Sequence, residues 1–143
     1  MNAQALRDLA SSAAAPRSLL AFDYGTRRVG VAVGNALLER GRPLATIAAA
    51  GGARFDAIRA LIDEWQPDAL VVGVPRHPDG AADENTVRAQ RFARQLHGRF
   101  GLAVHEVDER YSTTEAIASG AADVDAASAA ILLEQYFRER AAA

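Results

Sequence analysis

The sequence predicts an α/β domain whose sheet mixes antiparallel and parallel strands and carries helices on both faces. Three short apolar segments joined by short turns come first, as in antiparallel strands. Two further apolar segments alternate with amphipathic segments of helical length, as in parallel strands linked by crossover helices. We therefore expect one five-stranded mixed sheet within residues 17–143, preceded by a flexible tail rich in alanine and serine at residues 1–16.

The predicted strands are short apolar runs bounded by turn residues. They are residues 18–23, 29–34, 42–48, 69–74 and 102–107. The first run ends in the acid Asp23, and a tight turn follows it. The glycines of the second run, Gly30 and Gly34, favour close backbone approach. Pro43 indicates a strand start or an edge strand, because proline cannot donate a ladder hydrogen bond.

The predicted helices repeat apolar residues every three or four positions. They are residues 53–65, 83–100 and 125–139. Gly51 and Gly52 are expected to break the chain before the first helix. Asp83 is a suitable N-cap for the second, and Gly101 is a suitable residue for its end. Ser112 begins a capping-box sequence that predicts a further short helix.

The composition excludes several classes of protein. There is no cysteine, so disulfides, thiolate metal sites and cysteine nucleophiles are excluded. No apolar run approaches the roughly 20 residues of a membrane-spanning helix, and the N-terminal residues lack the apolar core of a secretion signal. We therefore expect a soluble cytoplasmic protein with no membrane partner. The net charge of −2 argues against strong non-specific nucleic-acid binding, although local arginine clusters matter more than the total.

Three acids fall where this fold would bring them together. Asp23 ends the first strand, Glu109 lies just past the fifth, and Asp125 opens the last helix. Clustered carboxylates repel one another unless a cation joins them, and hard oxygen ligands favour Mg²⁺ or Mn²⁺. Two such ions can activate a water molecule and stabilise the leaving oxygen of a phosphodiester. The pattern therefore predicts metal-dependent phosphodiester hydrolysis.

Each acid also has a simpler structural interpretation. Asp23 can cap the turn that follows it. Glu109 can form a solvated acidic pair with its neighbour Asp108. Asp125 and Asp123 compete as the cap of the last helix, since aspartate is common at that position. Helical spacing places Asp125 on the packed face, where a carboxylate needs a partner or a metal ion.

Four blocks of the sequence resemble, in order, the motif blocks of the YqgF/RuvX family of bacterial proteins. They are FDYGTRRVGVAVG, ALVVGVPRHPDG, HEVDERYSTTEA and VDAASAAILLEQYF, within residues 18–139. The resemblance implies a ribonuclease H-like fold and a nuclease that matures the 5′ end of pre-16S rRNA or resolves Holliday junctions. It implies that Asp23, Glu109 and Asp125 bind Mg²⁺ or Mn²⁺, and that the product carries a 5′-phosphate. The partner would be structured RNA or branched DNA, bound by a monomer or a weak homodimer.

Several residues near the acids are candidates for contact with substrate phosphates. They are Thr26, Arg27, Arg28, Arg76 and Arg110. The first three lie in the turn after Asp23, where the alternative is a solvated turn. Arg76 follows a central strand, where ligands often approach α/β sheets. Arg110 is expected to contact phosphate or to form an ion pair. A further stripe, Arg88, Arg91 and Arg99, would contact a nucleic-acid backbone or form a solvated face.

Two other functions fit part of the pattern. The DYGT turn is similar to the phosphate-binding hairpin of the actin and sugar-kinase superfamily, but those proteins need two lobes and a second Asp-Gly turn. A non-catalytic nucleic-acid-binding or ribosome-assembly factor is favoured by the net negative charge. It is also favoured by residues 116–124, a shorter segment than the family usually carries there and one without a basic residue.

Overall fold

The computed structural model describes residues 18–75, 83–109, 117, 120 and 123–142. Within this part of the chain lie five strands and three helices. The strands are β1 (Ser18–Tyr24), β2 (Val29–Asn35), β3 (Arg40–Ile47), β4 (Ala69–Pro75) and β5 (Ala103–Glu109). The helices are α1 (Gly51–Trp65), α2 (Glu84–Phe100) and α3 (Val124–Ala142). None of these helices is long and apolar enough to cross a membrane.

The five strands form one mixed sheet in the order β3-β2-β1-β4-β5. Strand β1 pairs antiparallel with β2, which pairs antiparallel with β3. The pairs β1–β4 and β4–β5 are parallel. The predicted fold class is therefore confirmed, and β3, which contains Pro43, lies at an edge as expected.

Helices cover both faces of the sheet, because successive strand residues point to opposite sides. On one face, Leu20 and Phe22 of β1 belong to a core that includes side chains of α1 and α2. On the other face, Leu19 and Ala21 pack in a core with α3 residues such as Leu133. Burying each large apolar side chain contributes roughly 1.5–3 kcal/mol, so this alternation fixes which way β1 faces.

Helix α3 lies close to the sheet because small residues line the contact. Ala32 of β2 forms a buried cluster with Ala129 and Ala130 of α3. A Cβ atom at Gly41 of β3 would lie only 2.3 Å from the carbonyl oxygen of Ala130, which glycine alone avoids. This approach holds the first turns of α3 against β2 and β3.

Helix α2 has the predicted start and end. The Asp83 carboxylate accepts a hydrogen bond from the Thr86 amide at 2.9 Å, and the Thr86 hydroxyl accepts one from the Asp83 amide. The Thr86 hydroxyl also donates to the Pro75 carbonyl, which ties this helix start to the end of β4. Gly101 ends the helix with φ 69°, in the left-handed region that favours glycine.

Several element boundaries differ from the predictions. Helix α1 begins at Gly51, so the two glycines form its first turn and do not break the chain. Strand β5 continues to Glu109 because it pairs with β4 as far as the Pro75–Glu109 register, so the prediction that Glu109 lies past the strand is wrong. The predicted tail and the helix predicted from Ser112 lie outside the described residues, and the single domain over residues 17–143 stays a prediction.

Candidate active site

Asp23 lies near the end of β1, on the face that α3 covers. Alternation along the strand places it on the same side as Leu19 and Ala21, which pack under α3. Its partner in the antiparallel ladder is Gly30 of β2. Asp23 is half-buried, so its carboxylate is held at the rim of the apolar core.

Glu109, the last residue of β5, lies on the same face as Asp23. Its side follows from Val107, which is buried in the core under α3. The side chain of the neighbouring acid Asp108 points to the opposite face of the sheet, because successive strand residues alternate between the two faces. The Asp23 and Glu109 side chains share a hydrogen bond. The structure therefore brings together the acids of two strands separated by β4.

Asp125 reaches this edge of the sheet because another acid caps α3. The Asp123 carboxylate accepts hydrogen bonds from the Ala126 amide at 3.0 Å and from the Thr46 hydroxyl at 2.6 Å. These two bonds are the main causes that lower the pKa of Asp123 below its usual value. Asp123 is therefore the helix cap, and the Asp125 carboxylate is available for other contacts.

Gly30 allows the start of α3 to rest on β2. A Cβ atom at Gly30 would lie 1.9 Å from the Asp125 carbonyl oxygen, a distance that no side chain can tolerate. Because Gly30 is the ladder partner of Asp23, this contact positions Asp125 beside Asp23. The prediction that the glycines of this strand permit close backbone approach is confirmed at this position.

The electrostatics of Asp23 record the proximity of all three acids. Burial raises the pKa of Asp23 most, from 3.8 to about 8, with contributions from the charge and hydrogen bond of Glu109 and from the charge of Asp125. A carboxyl group in this position holds a proton at neutral pH. The three acids thus form a site where negative charge accumulates at a free-energy cost.

The third acid is engaged differently from the other two. The Arg28 Nε atom lies 3.0 Å from Asp125 Oδ2, forming an ion pair whose arginine is largely exposed. Among the described residues, no three acidic or histidine side chains are grouped closely enough to hold a metal ion as they stand. The structure thus joins Asp23 to Glu109 by a hydrogen bond and Asp125 to Arg28 by an ion pair.

The predicted phosphate contacts divide into two groups. Thr26, Arg27 and Arg28 are exposed in the turn after β1, beside the acids. Arg76 and Arg110 lie outside the described residues.

The stripe on α2 is also divided. Arg88 and Arg91 are exposed and line a cavity, whereas the Arg99 guanidinium lies 4.0 Å from the ring centroid of Phe55. Arg99 therefore packs on α1 and does not extend the stripe.

Two residues near the site were not identified from the sequence. Arg54 is 5% exposed, and its guanidinium donates to the carbonyls of Ala49 and Thr26. Its helical spacing from Ile58 places it on the apolar face of α1, a signal that could have revealed it. Thr46 offers no comparable local signal, because its partner Asp123 is 77 residues away in the chain.

Comparisons with known proteins agree on a family. Residues 17–139 match the model of the family described as RuvX, Holliday junction resolvase. A protein of Polaromonas sp., named "Putative pre-16S rRNA nuclease", is 66% identical over 122 residues, which cover 85% of this chain and 88% of that protein. A protein of Albidiferax ferrireducens with the same name is 63% identical over 85% of this chain and 78% of its own length.

A solved structure supports the fold. It is the RuvC protein of T. thermophilus in complex with a Holliday junction substrate, with a TM-score of 0.52 and 18% sequence identity. The match covers 87% of this chain and 96% of that one.

Proposed function

Because the chain belongs to the RuvX family, we propose that it is a nuclease that hydrolyses phosphodiester bonds of structured nucleic acid at the site formed by Asp23, Glu109 and Asp125. The observation that carries this proposal is the convergence of three acids: Asp23 is hydrogen-bonded to Glu109, and its ladder partner Gly30 lies against the backbone of Asp125. The raised pKa of Asp23 is consistent with this arrangement. Perturbed carboxylates of this kind are typical of catalytic sites, where ionisation is matched to a reaction.

The chemistry of the three acids fits a divalent metal ion. Asp23, Glu109 and Asp125 would hold Mg²⁺ or Mn²⁺, because these ions favour carboxylate oxygens and would offset the repulsion that raises the pKa of Asp23. When bound, such ions supply activation of a water molecule and stabilisation of the leaving oxygen.

The protein's own groups handle protons and orientation. With a pKa of about 8, Asp23 keeps a proton at neutral pH in its hydrogen bond with Glu109, and that proton would be released if both carboxylates held a metal ion. Arg28 orients the Asp125 carboxylate through their 3.0 Å contact. Thr26 and Arg27, exposed in the same turn, are proposed to contact substrate phosphates together with Arg28, and so are Arg76 and Arg110.

The proposed substrate is the 5′ end of a pre-16S rRNA, cut to leave a 5′-phosphate. The names of relatives with more than 60% identity over most of both chains support this choice. A four-way DNA junction is the second candidate, supported by the description of the family. We propose a monomer or weak homodimer that works in the bacterial cytoplasm, where such RNA is made.

Cleavage assays of the full chain test the proposed function. The wild type, given Mg²⁺ or Mn²⁺, should cut a precursor RNA that spans the 5′ end of 16S rRNA. The Asp23→Asn variant should lose at least about 100-fold in rate, because it removes a negative ligand while keeping its shape. A labelled four-way junction, assayed in parallel, decides between the two substrates.

The matched control is Asp56→Asn, an acid exposed on α1 and away from the site. It should cleave at the wild-type rate. If the wild type cuts neither nucleic acid with either metal ion, the nuclease proposal is wrong. Binding of the RNA without cleavage would then favour a non-catalytic ribosome-assembly factor.

A further inference from the structure

A cavity of about 330 Å³ lies on the other face of the sheet, beside the end of β1. Tyr24 and Thr26 form part of its wall, immediately after the catalytic candidate Asp23. Because side chains alternate along a strand, Tyr24 points toward α1 and α2 while Asp23 points toward α3. The cavity is therefore separate from the acidic site, although both open at the same edge of the sheet.

Arg54, one of the three arginines that line this cavity, is buried and forms no ion pair with any acid in the described part of the chain. Its described polar partners are the carbonyls of Ala49, at 2.7 Å from Nε, and Thr26, at 3.0 Å from Nη2. Its guanidinium also lies 5.6 Å from the ring centroid of Tyr24. Among the described residues it forms no ion pair, so a nearly buried positive charge stands at the wall without a counter-charge.

The other two arginines project from α2. Arg88 pairs with Glu84 one turn earlier at 2.5 Å, an exposed contact that contributes little to stability. Arg91 forms no ion pair or hydrogen bond with any residue in the described part of the chain. Among the residues that the structure describes, no acidic side chain lines the cavity, so the lining residues of α1 and α2 present positive charge.

The start of α1 adds to the same potential. Ala50 is its N-cap, with no side-chain hydrogen bond, and no acid lies in the first turn. The first amide groups of a helix attract anions, and Ala50 and Gly51 at the start of α1 line the cavity with the arginines. At a position where aspartate or serine would stabilise the helix, an alanine leaves the amides open.

We propose that this cavity binds a backbone phosphate of the nucleic-acid substrate, a few nucleotides from the bond that is cut. Arg54 and Arg91 supply the charge, and the α1 amides supply hydrogen-bond donors. A strand of duplex carries one phosphate per about 3.4 Å of helix axis, so a short stretch of backbone can reach from one face of the sheet to the other. The inference rests on the proposed function, since it assigns a second contact to the same substrate.

A neutral substitution of Arg91 tests the charge. Affinity for the precursor RNA and for the four-way junction is measured at several salt concentrations with Mg²⁺, in an Asp23→Asn background that prevents cleavage. Arg91→Gln should weaken binding roughly 5- to 10-fold and reduce the slope of log K against log salt by about 0.7–0.9, the loss of one phosphate contact. Arg94→Gln, an exposed arginine on the same helix outside the cavity, should change neither quantity.

A pair of substitutions at Ala50 separates charge from folding. Ala50→Ser and Ala50→Asp should both raise the melting temperature by about 3 °C, because both side chains cap α1. Only Ala50→Asp should weaken nucleic-acid binding, since it places a negative charge in the cavity. The cavity proposal is overturned if Ala50→Ser and Ala50→Asp bind the nucleic acids equally well. It is also overturned if Arg91→Gln and Arg94→Gln do so, even if the wild type cleaves.

Inorganic phosphate distinguishes the two sources of a phosphate group. If low-millimolar phosphate raises the melting temperature of the wild type but not of Arg91→Gln, while both bind the RNA equally, the cavity takes a free anion and the backbone proposal is overturned. Weaker RNA binding by Arg91→Gln supports the backbone proposal, with or without a response to phosphate. If the wild type neither binds nor cleaves either nucleic acid, the proposed function and this inference are both wrong.

Discussion

The two sides of the sheet at the end of β1 carry opposite charge. Asp23 faces α3 and meets Glu109 and Asp125, whereas the next residue, Tyr24, faces a cavity with Arg54 in its wall. One strand end thus supports a site that attracts cations and another that attracts anions, separated by the backbone of the sheet. The difference shows that the direction of a side chain, set by the pleat, decides which chemistry a residue joins.

The helix starts differ in the same way. The N-cap residue of α3 is Asp123, which is hydrogen-bonded to the Thr46 hydroxyl and the Ala126 amide. The N-cap residue of α1 is Ala50, which provides no side-chain hydrogen bond. On the acidic side the Asp123 side chain accepts from the Ala126 amide, so Asp125 does not cap the helix. On the basic side no side chain caps the first amides of α1, which is where the proposed phosphate would bind.

The acidic side should depend most on Gly30. In Gly30→Ala the added methyl group would lie 1.9 Å from the Asp125 carbonyl oxygen, so the start of α3 must move away from β2. We expect a loss of about 3 kcal/mol in the free energy of unfolding and at least about 100-fold in cleavage rate, because Asp125 is displaced. Denaturant unfolding and the cleavage assay measure the two effects.

Gly98→Ala is the control for this change. Nothing lies within 4 Å of a Cβ atom at Gly98, which lies in the last turn of α2. It should gain about 0.5–1 kcal/mol in stability from helix propensity and retain full activity. A Gly30→Ala variant as stable and active as the wild type would contradict the close contact between α3 and β2.

The sequence predicted the fold better than the surroundings of the three candidate acids. Strands and helices follow from apolar spacing, which is local, and all five strands lie where apolar runs predicted them. The end of β5 was wrong because Glu109 pairs with Pro75, a contact that depends on β4. Arg54 was missed because its burial depends on the Thr26 carbonyl, 28 residues away. Long-range contacts of this kind leave no local pattern.

The acidic side should also make stability depend on pH. The native Asp23 binds its proton up to about pH 8, whereas in the unfolded chain it loses it near 3.8. Between these values the native state holds more protons than the unfolded chain, so the free energy of unfolding falls as pH rises. The stabilising contribution of the Asp23 proton is therefore complete below about pH 3.8 and is lost as pH rises to about 8. Asp23→Asn should remove this slope and be about 1–2 kcal/mol more stable than the wild type at pH 8, measured in a chelator.

Mn²⁺ provides the control, because it would offset the repulsion that Asp23→Asn removes. Added Mn²⁺ should stabilise the wild type more than the variant. A wild-type stability that does not decline from pH 5 to pH 8 in the chelator would show that the acids do not repel one another as the pKa of Asp23 indicates.

The smallest expected effect concerns Thr46, which fixes the cap of α3 from the neighbouring edge strand. Thr46→Val keeps the shape but removes the 2.6 Å hydrogen bond to Asp123, so we expect a loss of about 1 kcal/mol in stability. Cleavage should fall roughly 10-fold, because Asp125 lies two residues after the loosened cap. Thr46→Ser keeps the hydroxyl and should restore most of both losses. If Thr46→Val loses stability and Thr46→Ser regains it without any change in cleavage, then Gly30 alone positions Asp125, and the cap serves only to hold the helix.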